Sequence, residues 1–108
     1  MALALSTLST EYVRVQISAL KNGVISDPTS DPVQFAFPTR GTDPANWFSG
    51  SWETVFDSTT NTYTYYAKCL VGPDGGTTSL AVGHYDIWVK ITDSPEVPVM
   101  FSGNLLIK

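Results

Sequence analysis

At 108 residues the chain has room for one domain, long enough to bury roughly two thirds of its unfolded surface and to fold without staples. With 43% hydrophobic, 12% aromatic and only 15% charged residues, its composition argues against a disordered chain. Six Lys and Arg against ten Asp and Glu leave a net charge of -4 with no basic run, which argues against a phosphate-tracking surface, so no nucleic acid partner is expected.

The opening "MALALSTLST" is mildly apolar, has no basic flank, and carries an apolar run too short for a signal peptide or a membrane span. Cys69 is the single cysteine and no Asn-x-Ser/Thr acceptor occurs, which predicts synthesis in the cytoplasm, no membrane partner and no disulfide. Residues 1–10 have no core position in this reading and are expected to form an N-terminal arm, with residues 11–108 as the folded domain.

Helical periodicity is nearly absent, while alternating runs rich in Val, Ile, Thr, Tyr and Phe recur between turn clusters, an all-β pattern. "EYVRVQI" sets Val13, Val15 and Ile17 on one side and Arg14 and Gln16 on the other, ahead of a turn at "KNG". "PVQFAFP" points Val33, Phe35 and Phe37 inward and stops at Pro38, which has no ladder donor. In "DPANWF", Asp43 as cap and Pro44 in first position predict one short helical turn.

"SWETVFD" and "TYTYYAKCLV" read as a hairpin across "STTN". The first alternates Trp52, Thr54 and Phe56 against Ser51, Glu53 and Val55, with Trp52 as a core ring whose N–H needs a backbone acceptor. In the second, Tyr65, Ala67, Cys69 and Val71 are set inward and Tyr66, Lys68 and Leu70 outward, although the pattern leaves the opposite register open. "GPDGG" and "TDSPE" are turns. In "VPVMFSGNLLIK", Pro98 and Gly103 point to an edge strand with a bulge.

"LAVGHYDIWVKI" carries Leu80, Gly83 and Tyr85 in a spacing that resembles the tyrosine corner of immunoglobulin-like sandwiches, where the Tyr hydroxyl bonds to backbone a few residues upstream. About seven strands at the spacing of a β-sandwich complete the expectation of a single all-β, immunoglobulin-like fold of antiparallel strands without a disulfide, with a small closed barrel as the rival. In the strand from Gly83 to Ile91, Tyr85, Ile87, Val89 and Ile91 are set inward. That leaves His84, Asp86, Trp88 and Lys90 outward, and folding alone does not account for an outward Trp88.

Catalysis has little to build on. His84 and Cys69 are the residue types that react near neutral pH without special tuning, and neither has a supporting motif. The chain has no G-x-S-x-G, no H-E-x-x-H, no Cys/His metal spacing and no phosphate-binding glycine loop, so no enzyme, cofactor or metal is expected. Asp27, Asp31, Asp57 and Asp74 sit where turns use carboxylates for their own backbone, which outweighs a calcium reading.

The phrases "STEYVRVQI", "DPTSDPVQFAFP", "YYAKCLVGP" and "GHYDIWVKITDSPEVPV" resemble those of small virion structural proteins of tailed bacteriophages infecting actinobacteria. The resemblance runs from about residue 9 to 107 and rests on strand and turn phrases, so it implies a virion role assembled in the host cytoplasm and carries over no catalytic residue. The function it implies is non-enzymatic binding to neighbouring virion subunits in a homo-oligomer, ring or lattice, at the head-tail junction or as a capsid decoration protein. Trp88, Asp86 and Lys90, Tyr66 and Lys68, and Ala4 and Leu8 of the arm are the candidate contacts. The alternative is a carbohydrate-binding module, with Trp88, Trp47 and Tyr66 as a stacking platform and Asp86, Lys90 and Lys68 as hydrogen-bonding neighbours.

Overall fold

The computed structural model describes residues 2–17, 19–21, 24–26, 28–92 and 97–108. The expected turns at 22–23 and 93–96, and Asp27, lie outside the described residues. The strands are β1 (Ala2–Leu5), β2 (Glu11–Ile17), β3 (Ala19–Lys21), β4 (Val24–Ser26), β5 (Val33–Ala36), β6 (Phe48–Ser49), β7 (Ser51–Asp57), β8 (Thr62–Val71), β9 (Gly83–Ile91) and β10 (Val99–Ile107). Two sheets hold eight of them, in the orders β1-β10-β9-β5-β6 and β2-β8-β7, and β3 and β4 form a separate hairpin. The expectation of about seven strands therefore falls short.

The alternation read from the sequence is the alternation of the sheets. Val13, Val15 and Ile17 of β2 are buried, and so are Ala67, Cys69 and Val71 of β8, which pair with β2 so that Val13 faces Cys69 and Val15 faces Ala67. From the larger sheet Val33, Phe35, Ile87, Val89, Leu105 and Ile107 complete one hydrophobic cluster. A fully buried side chain such as Phe35, 0% exposed, contributes about 1.5–3 kcal/mol by leaving water. Trp52, partly buried, packs on this cluster and its Nε1 donates to the Asp31 carbonyl at 2.8 Å, so the ring meets the core without stranding its N–H.

The chain changes sheets at Gly50, between β6 and β7. A Cβ there would stand 3.0 Å from the Lys68 carbonyl and from the Phe35 ring, a tight contact that glycine avoids at the crossing. At the other end, a Cβ on Gly72 would come within 2.3 Å of the Ser9 carbonyl, where the turn after β8 lies against the start of β2. The β7–β8 hairpin closes with Asn61 in the left-handed region, φ 55°, a conformation its short amide tolerates.

Three expectations are corrected. Residues 43–47 form no helical turn and have no regular structure. The loop is instead held by contacts at its two ends, described below, and a single turn cannot supply enough hydrogen bonds to nucleate a helix against them. The N-terminal segment, expected as an arm without a core position, has one at Leu5. β1 pairs in parallel with β10, Leu5 opposite Ile107, Leu5 is buried, and the ladder extends through Lys108 N–H to the Leu5 carbonyl at 2.9 Å and Thr7 N–H to the Lys108 carbonyl at 3.0 Å. Finally, β10 is only half an edge. A bulge between Phe101 and Gly103 breaks its register with β9, and β1 covers Asn104 to Ile107, leaving Val99–Phe101 with one strand neighbour among the described residues.

Candidate functional site

The outward row of β9 is mostly covered. Beyond Ala36 the chain continues alongside β9, the Pro38 carbonyl accepting the Asp86 N–H at 2.9 Å and the Arg40 N–H donating to the His84 carbonyl at 3.1 Å. It then turns over the outer surface of the five-stranded sheet. Asp86 Oδ2 accepts the Gly41 N–H at 3.0 Å and Oδ1 accepts from Asn104 Nδ2 at 3.0 Å, which fastens the loop to two strands. Lys90 Nζ lies 4.3 Å over the Trp47 ring, fixing the far end of the same loop. Asp86 does point to the outer surface, as its alternation predicts, but the loop keeps it from solvent: it is 7% exposed, and Ala36 on the same surface is 1% exposed.

Trp88 lies opposite Ala36 on β5 and Phe101 on β10. It is half-buried, edge-on to the Phe101 ring at 5.7 Å and 75°, and its indole Nε1 is buried with no hydrogen-bond partner among the described residues. The exposed apolar groups of this surface are its neighbours, Phe101 at 54% and Val99 at 46%. Neither was singled out by the sequence: Gly103 signals a bulge, but the bulge at Ser102 reverses the phase of β10, so Val99 and Phe101 face the opposite side from Gly103, Leu105 and Ile107.

Tyr66 and Lys68 belong to a different surface. They alternate with buried Ala67 and Cys69, so they face outward from the three-stranded sheet, on the opposite side of the core from Asp86, Trp88 and Lys90. Arg14 Nη2 donates to Glu53 Oε2 at 2.8 Å and its guanidinium lies 4.4 Å over the Tyr66 ring. Lys68 Nζ is 3.9 Å from Glu53 Oε1 and 4.5 Å over the Tyr12 ring. Exposed pairs of this kind contribute about 0–1 kcal/mol each, but together they tie the side chains down. Ala4 is exposed in β1, and Leu8, 84% exposed, sits in the turn closed by the Ser9 N–H on the Ser6 carbonyl at 3.0 Å. The structure therefore divides the candidate contacts among separate places.

A third surface was misread. Phe56, in the same alternating row as Trp52, is 48% exposed, and Tyr63 opposite it is 59% exposed; Val55, on the other face of the hairpin, is 41% exposed. The β7–β8 hairpin is regular to its end, with Thr54 opposite Tyr65, Val55 opposite Thr64 and Phe56 opposite Tyr63. Burial fades from Ala67 toward the turn, so this part of the inner face has no sheet packed on it. Phe56 and Tyr63 meet at 4.9 Å, and Tyr63 stacks on Tyr65 at 6.5 Å. The pattern of apolar residues was right, and what failed was the assumption that an opposing sheet reaches every one of them.

The reactive residue types are separated. Cys69 is 1% exposed, and burial pushes its thiol up to about 11, partly offset by a hydrogen bond from the Thr77 side chain, so no thiolate nucleophile is present near neutral pH. His84 is exposed at the start of β9. Asp57 serves its own turn, Oδ1 accepting the Thr59 N–H at 2.9 Å, and this bond holds its carboxyl below the usual range. No group of three His, Cys, Asp or Glu suited to a metal occurs among the described residues. A cleft of about 270 Å³ opens beside the loop, lined by Phe37, Phe48 and Leu80 with Asp43 and Asn46. It is small beside the usual ligand pocket of roughly 300–1,000 Å³ and brings no reactive pair together.

At the start of β9, Tyr85 Oη donates to the Ala81 carbonyl at 2.9 Å, while Tyr85 and Leu80 both pack on the core. Gly83 opens the strand opposite Ile107, and a Cβ built there would meet only the Tyr85 ring, at 3.7 Å. No family model, curated protein or solved structure matches the chain.

Proposed function

We propose that this chain is a non-enzymatic structural subunit of a tailed-phage virion, an immunoglobulin-like sandwich that works by contact with neighbouring subunits, at the head-tail junction or as a capsid decoration protein. The observation that carries the contact reading is the β7–β8 hairpin, where the rings of Phe56 and Tyr63 stand half-exposed side by side on one face of a regular ladder and Val55 is exposed on the other. Contiguous apolar exposure with aromatic rings marks protein interaction surfaces. The virion assignment rests on the resemblance of the strand and turn phrases.

The strand order supports the immunoglobulin-like reading. β2-β8-β7 corresponds to strands B, E and D of such sandwiches and β5-β9-β10 to C, F and G. The Tyr85 bond to a carbonyl four residues upstream sits at the start of the strand corresponding to F, where the tyrosine corner belongs. For the glycan alternative the geometry is unfavourable. Trp47 carries the Lys90 ammonium on its ring, and Tyr66 is on the opposite sheet under Arg14, so the three rings form no common platform.

Cryo-electron microscopy of purified particles of the encoding phage tests the proposal. Density for this fold at the neck or on the capsid surface is the expected result, and absence of the protein from mature particles overturns it.

A further inference from the structure

Two long strand edges have no strand neighbour among the described residues: β2 and β7, on the two margins of the three-stranded sheet. Each is seven residues long. Unpaired edges offer backbone donors and acceptors to another chain, and proteins usually blunt them with Pro, Lys, a bulge or a short length. β7, "SWETVFD", has no Pro, no Lys and an unbroken register with β8. Of its two acids, Glu53 is engaged by Arg14 and Lys68 of its own sheet.

We propose that β7 pairs antiparallel with β7 of a second copy, about a two-fold axis at Thr54, joining two three-stranded sheets into one of six. The register follows from the pleat. Directly opposed residues in an antiparallel pair point to the same side, so a two-fold axis perpendicular to the sheet must pass between a residue and its own copy. Centring on Glu53 sets that carboxylate against itself, and centring on Val55 sets Glu53 against the partner's Asp57. Only Thr54 among the three central positions avoids opposed like charges, and it alone pairs all seven residues.

In that register Trp52 lies opposite the partner's Phe56, Glu53 opposite the partner's Val55 and Ser51 opposite the partner's Asp57. Phe56, half-exposed beside Tyr63 in its own chain, gains a second aromatic cross-strand neighbour from the pairing. The same operation on β2 is unfavourable, because the register that pairs all seven residues sets Arg14 against itself. Seven residues a side is small beside the roughly 20–30 of a standard interface, so the dimer is expected to be reversible and concentration-dependent.

This names a partner for the subunit-contact reading but draws only on the strand edge, and its test needs only the purified chain. Sedimentation equilibrium of the full chain across about two orders of magnitude in concentration is expected to show a monomer–dimer equilibrium. Thr54→Lys, at an exposed position, is expected to weaken it by about tenfold or more, with circular dichroism checking that the variant is folded. Thr54→Cys is expected to cross-link across the axis under mild oxidation, since opposed residues are about 4.5–5.5 Å apart at Cα. Val55→Cys is expected to fail, because its two copies are offset by two residues and stand about 8 Å apart. Buried Cys69 does not compete. A monomer at every concentration, a dimer indifferent to Thr54→Lys, or equal cross-linking at both positions overturns the proposal; a monomer leaves the virion reading standing, to be decided by the particles.

Discussion

The outer surface of the five-stranded sheet and the end of the β7–β8 hairpin carry similar residues, rings and polar groups in strict alternation, yet one is covered and the other is not. On β9 the loop after β5 turns over Asp86 and is held there by two hydrogen bonds, and Lys90 fixes Trp47 at its far end. On the hairpin, Phe56 and Tyr63 have each other and little else. Alternation decides which side of a sheet a residue occupies, and cover comes from whatever segment happens to cross that side. The covered surface is built to hold this chain's own loop, and the uncovered one is available to another chain.

The largest expected effect tests the covered side. Asp86→Ala removes the acceptor of both the Gly41 N–H and the Asn104 amide in a buried setting, and is expected to cost about 3 kcal/mol by denaturant unfolding. A loss under about 1 kcal/mol would mean that the loop is not held through this carboxylate. Trp88 gives a sharper contrast. Trp88→Ala should cost about 2 kcal/mol through lost packing. Trp88→Phe should change stability by less than about 0.5 kcal/mol or raise it, since it also removes a buried N–H without a partner. A large loss on Trp88→Phe would show that the indole N–H is satisfied in solution.

Tyr85→Phe should cost about 1 kcal/mol, the bond to the Ala81 carbonyl; equal unfolding midpoints would remove that bond as a support of the fold. Phe56→Ala should be smallest in the monomer, under about 0.5 kcal/mol in dilute solution, because the ring is half-exposed and its main partner is a neighbouring exposed ring. A loss near that of a core aromatic, about 3 kcal/mol or more, would place Phe56 under cover after all and erase the contrast between the two surfaces.

Cys69 adds a pH dependence that belongs to the core alone. Its thiol is raised in the folded chain from 9.0 to about 11, so between those values the unfolded state loses its proton while the folded state keeps it. Stability from this residue is fully present below pH 9 and is lost as pH rises toward 11. Cys69→Val, measured by urea unfolding at a series of pH values, should show a shallower decline over that window than the parent chain.

Much of the fold was legible in the sequence. The inward sets of β2, β5 and β9, the hairpin of β7 with β8, the bulge in β10 and the Trp52 N–H seeking a backbone carbonyl all follow from residue types two apart and from the chemistry of single groups. These are local properties, fixed by the pleat and by what each side chain can bond. The register of β8, open in the sequence, was settled by its pairing with β2. The misreadings share another cause. Leu5 was left without a core position because an edge strand's place depends on a partner more than ninety residues away. Asp86 was set in solvent because the loop that buries it comes from another part of the chain. Phe56 shares the alternating row of the core ring Trp52, and nothing in "SWETVFD" tells that the opposite sheet does not extend to it. The sequence alone settled the longer strands and their alternating sides; the short edge strands such as β1, and which sides are covered, came from the tertiary structure, since both depend on contacts between segments that no local pattern encodes.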